Sequence, residues 1–323
     1  MPGAGPTDHS AYKEIMLQRH ATSRPTLVPS LGVLVAGSIW GLFWYPLRLA
    51  EAEGVSADWA NLLFFSVSAA VILPWALRGK ALADTGKHQI ISGLLLGTAF
   101  AFYTLSLVMT DVVRAILLFY LTPVWSTIIS IVFLRSRLTP HRALALVLGF
   151  AGLWLTIGND NGLPVPRNAG DWIGLVAGLL WSLGTLGSFH RPSSTIASSV
   201  LAFSLGGLAI TAVVMVIRSY SGDLSTDMAA IGSMAPLLLA LGLCMFTIPN
   251  IVVLWAAQHV EPARVGILLL AEVFTGTLSA ALFSHEPFGV TQALGAALIV
   301  SAGLVEISGR ESKSGSAAPA RSP

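Results

Sequence analysis

The stretches DVVRAILLFYLTPVW (111–125) and EPARVGILLLAEVFT (261–275) lie 150 residues apart and share one pattern. Each begins with an acidic residue, has an arginine three positions later, and continues as an apolar run. The match extends further, because Phe133, Leu144 and Ile157 each have the identical residue 150 positions later. The chain therefore repeats part of itself, and this repeat constrains its fold.

The composition is that of a membrane protein. Of the 323 residues, 54% are hydrophobic and 11% are charged, whereas about 25% are charged in an ordinary soluble domain. About 20 apolar residues in a helix cross a hydrocarbon core of roughly 30 Å, and ten such stretches recur. Their approximate limits are 30–49, 59–77, 90–110, 112–134, 141–157, 171–189, 196–217, 234–256, 263–283 and 287–307. The sequence thus predicts an all-α membrane protein with ten transmembrane helices.

The repeat predicts how these helices are arranged. A second offset, of 141 residues, places AGSIWGL (36–42) over AGLLWSL (177–183), so each half contains five spans. Because five is odd, the second half enters the membrane from the opposite side, which makes two inverted five-helix repeats, an architecture of many secondary transporters. The predicted units are a cytoplasmic N-terminal tail (1–29), the first repeat (30–157), an external linker (158–170), the second repeat (171–307) and a disordered cytoplasmic tail (308–323).

The distribution of lysine and arginine predicts the orientation. With the first span starting in the cytoplasm, fourteen of the 18 basic residues fall on the cytoplasmic side. The remaining four are Arg48, Arg114, Arg167 and Arg218. Because cytoplasmic loops carry the excess of positive charge, both termini are predicted to be cytoplasmic. The expected location is a bacterial inner (plasma) membrane.

Two long stretches, 100–125 and 260–303, resemble the EamA-type branch of the drug/metabolite transporter superfamily. The resemblance is carried by the Trp40-Gly41 pair, Thr122-Pro123, Ala271-Glu272 and Glu286. It implies ten-helix secondary transport, often export of amino acids and other metabolites, through a cavity between the two halves. A fainter likeness joins GNDNGL (158–163) to a loop of the aromatic amino-acid exporters in that superfamily.

The chain departs from the family pattern at two places. The family commonly has proline after the glutamate of span nine, where this chain has Val273. It also usually has a glutamate at the position of Ser136. The geometry of a cavity near Glu272 therefore follows from the resemblance less directly than the fold does.

Polar, small and aromatic residues recur along single faces of several predicted helices. In lipid, such faces point toward protein or water, and they predict the lining of a cavity. The predicted cavity and substrate-binding residues are Trp40, Trp44, Tyr103, Tyr120, Trp125, Trp181, Asn250, Glu272 and Thr275. Trp40 and Trp181 are expected on opposite walls near mid-membrane; packing in a closed core is the alternative for both.

Glu272 is the one carboxylate inside the apolar run 267–283. An acid at the centre of a membrane helix costs roughly 2.5–3.5 kcal/mol on insertion scales. It shares a helical face with Thr275, Gly276 and Ser279, so it is expected to point into the protein. A buried carboxylate without a cation favours the protonated form. This pattern is typical of proton coupling or of binding a substrate amine, and also of a neutral glutamate that bonds a neighbouring helix.

Two further segments leave alternatives open. In FTIPN (246–250), Pro249 lacks a backbone N–H, which predicts either a helix broken at a binding site or a simple kink. Asp111 and Arg114 are three residues apart, as are Glu261 and Arg264. That spacing allows local ion pairs at the membrane surface, as topology anchors or as gates.

Several classes of function are disfavoured. The sequence contains no GxxxxGK[ST] phosphate loop, no HExxH and no GxSxG, and with Cys244 as its one cysteine it has no two-thiol metal site. No cofactor, metal or nucleic acid is predicted. The expected partners are the lipid bilayer and a small organic solute that is neutral, zwitterionic or cationic, with a proton as a possible co-substrate. The alternative is an intramembrane enzyme or enzyme subunit acting on a lipid or prenyl substrate.

Overall fold

The computed structural model describes residues 27–78, 86–132, 139–157, 166–189, 195–224, 227–256, 259, 262–284 and 289–315. Every regular element within these ranges is helical, which confirms the all-α class. The α-helices are α1 (Leu27–Gly41), α2 (Trp44–Ala52), α3 (Ala57–Ala76), α4 (Lys87–Met109), α5 (Val112–Phe119), α6 (Thr122–Val132), α7 (Pro140–Ile157), α8 (Ala169–Phe189), α9 (Ile196–Ser221), α10 (Met228–Leu241), α11 (Ile248–Ala256), α12 (Pro262–Phe283) and α13 (Val290–Gly315). A π-helical turn, Gly242–Thr247, joins α10 to α11.

Each of the ten predicted spans falls on one of these helices or on two consecutive ones. Five helical segments are long and apolar enough to cross a membrane: Leu27–Ala52, Ala57–Ala76, Lys87–Met109, Ile196–Ser221 and Met228–Ala256. The described helices of the other predicted spans include shorter apolar stretches, such as Leu268–Phe283. An all-helical protein with five candidate membrane spans is therefore established.

Prolines mark the irregular points of three spans. Pro46 lacks an N–H, and the carbonyl of Leu42 accepts the N–H of Tyr45 instead, at 3.2 Å, beyond the end of α1. Pro123 lies at the start of α6, where the helix of span four is interrupted. Before Pro249 the helix widens into the π turn, in which the Thr247 hydroxyl donates to the carbonyl of Gly242 at 2.7 Å. The chain stays helical through Pro249, which favours the kink over the broken helix.

The bundle is centred on α4. This helix packs against α8 on one side and α9 on another, while α1 packs against α12 and α11, α3 against α9, and α7 against α13. A cluster of phenylalanine rings fills the space between α3, α4, α9 and the π turn. Its members are Phe43, Phe64, Phe65, Phe100, Phe203 and Phe246. Phe246, in the π turn, contacts each of the other five rings.

Parts of the predicted tails and linker lie outside the described residues. These are residues 1–26 of the N-terminal tail, residues 158–165 of the linker with the GNDNGL sequence, and residues 316–323 of the C-terminal tail. The last helix, α13, runs to Gly315, past the predicted end of span ten at residue 307.

Candidate functional site

The carboxylate of Glu272, in α12, is bound by two tyrosine hydroxyls. Tyr103 donates to Oε1 at 2.9 Å and Tyr120 donates to Oε2 at 2.7 Å. Glu272 is only 3% exposed. Tyr103 belongs to α4 and Tyr120 follows α5, so both donors come from the first half of the sequence and the acceptor comes from the second. The site therefore lies where the two halves meet.

The hydroxyl of Tyr120 has a second acceptor. It lies 3.1 Å from the carbonyl oxygen of Leu269, one turn before Glu272 in α12. A phenol has one hydrogen to donate, so the carboxylate and this carbonyl compete for it. The ion pairs found among the described residues, Arg114 with Asp171 and Arg218 with Asp58, involve other acids. Hydroxyl groups, rather than a cation, thus stabilise the Glu272 carboxylate within that part of the chain.

Helix α1 approaches the site at Gly41. A Cβ atom placed there would collide with the Thr275 hydroxyl and would lie 2.7 Å from the carbonyl oxygen of Glu272. The Thr275 hydroxyl itself donates to the carbonyl of Ala271 at 2.8 Å and lies 3.3 Å from the carbonyl of Ser38. Thr275 therefore belongs to the contact between α1 and α12, and it adjoins Glu272 through that contact.

Aromatic rings surround the two tyrosines. Tyr103 stacks on Phe119 with ring centroids 4.4 Å apart, and Phe119 contacts Trp181 edge-on at 5.7 Å. On the other side, Tyr103 contacts Phe100 at 6.0 Å, and Phe100 contacts Trp40 at 5.8 Å. Trp40 and Trp181, predicted as opposite walls, are thus joined by a continuous series of ring contacts through Phe100, Tyr103 and Phe119. Phe100 and Phe119 are not among the site residues that the sequence predicted.

The remaining predicted residues lie at different levels of the bundle. Trp44 is buried and donates from Nε1 to the Ser279 hydroxyl at 2.9 Å, two turns beyond Glu272 in α12. Trp125 lies half-buried in α6, and Asn250 is buried in α11. The structure therefore brings Tyr103, Tyr120 and Glu272 into direct contact and joins Trp40, Trp181 and Thr275 to them through neighbours. It gives Trp44 a partner further along α12.

A polar cavity that the sequence did not predict lies at one end of the bundle. Its volume is about 620 Å³, and its lining includes Arg48, Glu51, Thr110, Asp111, Arg114 and Arg167. Arg48 donates to the carbonyls of Leu107 and Thr110, at 3.1 and 2.7 Å. Three of the four arginines that the charge distribution predicts on the non-cytoplasmic side therefore line the same cavity.

Beside this cavity, Arg114 forms a buried ion pair with Asp171 of α8. Asp171 also accepts the Thr110 hydroxyl at 2.7 Å and the backbone N–H of Arg167 at 2.9 Å. The spacing of Asp111 and Arg114 allowed a local ion pair. The observed partner, Asp171, lies 57 positions away in the other half of the chain. The side chain of Arg264 lies outside the described residues.

Comparison with known proteins gives a family match in the first half of the chain. Residues 28–158 match the model of the EamA-like transporter family. The first half of the chain is EamA-like. This confirms the resemblance carried by Trp40-Gly41 and Thr122-Pro123, and the matched residues almost coincide with the predicted first repeat.

Two further similarities extend over most of the chain. It is 22% identical over 275 residues to the Uncharacterized transporter YoaV of Bacillus subtilis (strain 168), covering 83% of this chain and 93% of that protein. A solved crystal structure of a protein matches its fold with a TM-score of 0.55 and 21% sequence identity, over 84% of this chain and 95% of the other. With the apolar helices, the EamA-like match indicates an integral membrane protein. Together with the similarity to YoaV, it supports a transporter of the drug/metabolite type.

Proposed function

We propose that this protein is a secondary active transporter that exports small organic metabolites, with amino acids as the leading class, by alternating access. The proposal depends chiefly on one observation. Glu272, buried between the two halves, holds both hydroxyls that reach it from the opposite half. A carboxylate in this position is costly to keep inside a membrane protein, and it marks the point where a proton or a solute would affect the contact between the halves.

The packing of the helices supports two related five-helix halves. The two halves can be compared by pairing span one with span six, span two with span seven, and so on. Under this pairing, each main helix–helix contact has a counterpart between the paired spans. The contact of α1 with α12 corresponds to that of α8 with α5 and α6, and the contact of α4 with α8 corresponds to that of α11 with α1. The contact of α7 with α13 joins spans five and ten, and that of α3 with α9 joins spans two and seven. Each of these two contacts therefore joins a pair of corresponding spans. This pattern is expected for an inverted repeat.

Protonation of Glu272 would rearrange the hydrogen bonds at this contact. The ionised carboxylate accepts from both Tyr103 and Tyr120. A protonated carboxyl has one hydrogen to donate and keeps one oxygen that accepts. With the proton on Oε2, the Tyr120 hydroxyl can donate to the carbonyl of Leu269 instead. A substrate ammonium group would compete with the proton for the same oxygens. Competition between proton and substrate for one carboxylate provides proton-coupled antiport, which drives export when protons flow inward.

Transport by the purified protein in proteoliposomes tests this function. The liposomes are loaded with each of the L-amino acids in turn, and solute efflux is followed with and without a pH gradient that drives protons inward. We expect at least one amino acid to leave faster than from protein-free liposomes, and the gradient to accelerate it. Efflux indistinguishable from protein-free liposomes for the whole panel would contradict the proposal.

A further inference from the structure

Two buried N–H donors on adjacent segments, α1 and α11, have no acceptor among the residues that the structure describes. Trp40 is 5% exposed and Asn250 is 6% exposed. Within the part of the chain that the structure describes, neither the indole Nε1 of Trp40 nor the amide Nδ2 of Asn250 has a hydrogen-bond partner. Buried donors are nearly always paired in folded proteins, so two unpaired donors in one region require an explanation.

The packing of α1 against the π turn and α11 places these two donors on neighbouring segments. Gly32 of α1 lies against Val252 of α11, since a Cβ there would be 2.9 Å from its Cγ1, and the ring of Phe43 lies 6.4 Å from that of Phe246. The two segments therefore run antiparallel, and Trp40 and Asn250 both lie between these two contacts. Side chains on a helix lean toward its N-terminus. Trp40 thus leans toward the level of Asn250, and Asn250 leans toward the level of Trp40.

The same region adjoins the Glu272 carboxylate. The Trp40 ring contacts Phe100, which contacts Tyr103, the residue that donates to Glu272. The backbone of α1 at Gly41, next to Trp40, lies directly against that of Glu272. Trp40 therefore lies two ring contacts from Tyr103, and Asn250 lies on the segment packed against α1. A bound solute that satisfies both features must present acceptors to the donors and a cation to the acid.

We propose that Trp40 and Asn250 bind the carboxylate of the transported solute while Glu272 binds its ammonium group. A carboxylate offers lone pairs to two donors at once, and hydrogen bonds to an ionised acceptor are stronger than those to a neutral one. A solute carrying the carboxylate alone would be repelled by ionised Glu272, so the chemistry selects a zwitterion. This inference rests on the transport function proposed above and assigns the residues that select its substrate.

A comparison of ligands on the unmodified protein gives the first test. Each L-amino acid is paired with its α-carboxamide, which keeps the ammonium group and side chain but lacks the carboxylate. Binding to the purified full-length protein is measured by titration calorimetry. We expect amino acids that bind to do so about tenfold more tightly than their amides, the size expected for losing a hydrogen bond to a charged group. Equal binding of acid and amide, or no binding of any amino acid, would overturn the inference.

Variants of the two donors give the second test. Trp40→Phe keeps an aromatic ring but removes the N–H, and Asn250→Leu keeps the volume but removes the amide. Each is expected to weaken amino-acid binding about tenfold while changing amide binding little, so the preference for the acid is lost. Trp59→Phe is the matched control, because Trp59 Nε1 is also buried without a partner but lies at the start of α3. The Trp59→Phe variant should still bind the amino acid more tightly than its amide.

The outcomes separate this inference from the proposed function. If the variants still bind the amino acid more tightly than its amide by the parent factor, then water or packing, and not the solute, accounts for the two donors. That result overturns the assignment of Trp40 and Asn250 as carboxylate-binding residues. Efflux of amino acids and amides at equal rates would also overturn it while leaving the transport function in place. Absence of efflux for every amino acid would contradict both the transport function and the assignment of the two donors. If either variant fails to fold, the comparison of acid and amide on the parent protein still decides.

Discussion

At the scale of single residues, the two tyrosines of the site differ in their surroundings. Tyr103 is 1% exposed, and its hydroxyl donates to Glu272. Tyr120 is partly exposed and shares its hydroxyl between Glu272 and the carbonyl of Leu269. We interpret Tyr103 as the residue that fixes the carboxylate, and Tyr120 as the one that changes partner when the carboxylate takes up a proton.

This difference predicts unequal effects of removing each hydroxyl. Tyr103→Phe leaves Oε1 of Glu272 buried without that donor and should lower the free energy of unfolding by about 1–3 kcal/mol. Tyr120→Phe should lower it less, because that hydroxyl lies in a partly exposed residue. Thermal unfolding of the purified variants measures both. Tyr45→Phe, at an exposed residue of α2, is the control and should match the parent; a larger loss for Tyr120→Phe than for Tyr103→Phe would contradict the interpretation.

The sequence predicted the members of this site better than their contacts. Glu272, Tyr103 and Tyr120 were identifiable because a polar group in an apolar span must face protein or water. Their hydrogen bonds were not identifiable, since they join residues 169 and 152 positions apart. For the same reason, the pairing of Arg114 with Asp171 could not be predicted from local spacing.

At the scale of secondary-structure elements, the contact between α1 and α12 positions the Glu272 backbone. Gly41 permits this contact because any side chain there would meet Thr275 and the backbone of Glu272 and Gly276. Close approach of helix backbones at small residues is a common packing mode in membrane proteins. The position of Glu272 relative to the first half therefore depends on the absence of a side chain at residue 41.

Replacement of Gly41 by alanine tests this dependence. The added methyl group must displace α1 or α12, which should lower the free energy of unfolding by about 1–3 kcal/mol and reduce transport. Gly232→Ala in α10 is the control, since a Cβ there meets nothing within 4 Å. That variant should be neutral or more stable by up to about 1 kcal/mol, the difference in helix propensity. Equal stability and activity of the two variants would show that the contact is not tight.

The sequence located the helices and missed most of their irregularities. Apolar runs of about 20 residues indicate a span whether or not the helix inside is continuous. The interruptions near Pro46 and Pro123 were therefore not predicted, although Pro249 did indicate the disturbance now described as a π turn. Phe246 in that turn packs among the phenylalanine rings, which is a tertiary contact that a pattern along the sequence does not reveal.

At the scale of the whole molecule, the arginines are consistent with one defined orientation. Arg48, Arg114 and Arg167 line one cavity, and Arg218 pairs with Asp58 in the first turn of α3. These four residues are the basic side chains that the charge distribution placed outside. We propose that this end of the bundle is external and that both termini are cytoplasmic, in the inner membrane of a bacterium.

Labelling of single cysteines tests this orientation. In a Cys244→Ser background, one cysteine is added at Ser10, Asn161 or Ser314, and intact cells are treated with a membrane-impermeant thiol reagent. Only the Asn161 position should react, because it lies in the predicted external linker. The background variant without added cysteine is the control, and permeabilised cells should label all three. Reaction at Ser10 or Ser314 in intact cells would reverse the proposed topology.

The role of Glu272 in coupling is tested most directly by Glu272→Gln in proteoliposomes. Glutamine keeps the shape and an accepting oxygen but cannot take up and release a proton at neutral pH. We expect transport driven by a pH gradient to be lost, while exchange of solute across the membrane continues with a higher KM, because the amide oxygen still accepts from an ammonium group. Gradient-driven transport at the parent rate in this variant would contradict proton coupling at Glu272 and leave the residue a structural role only.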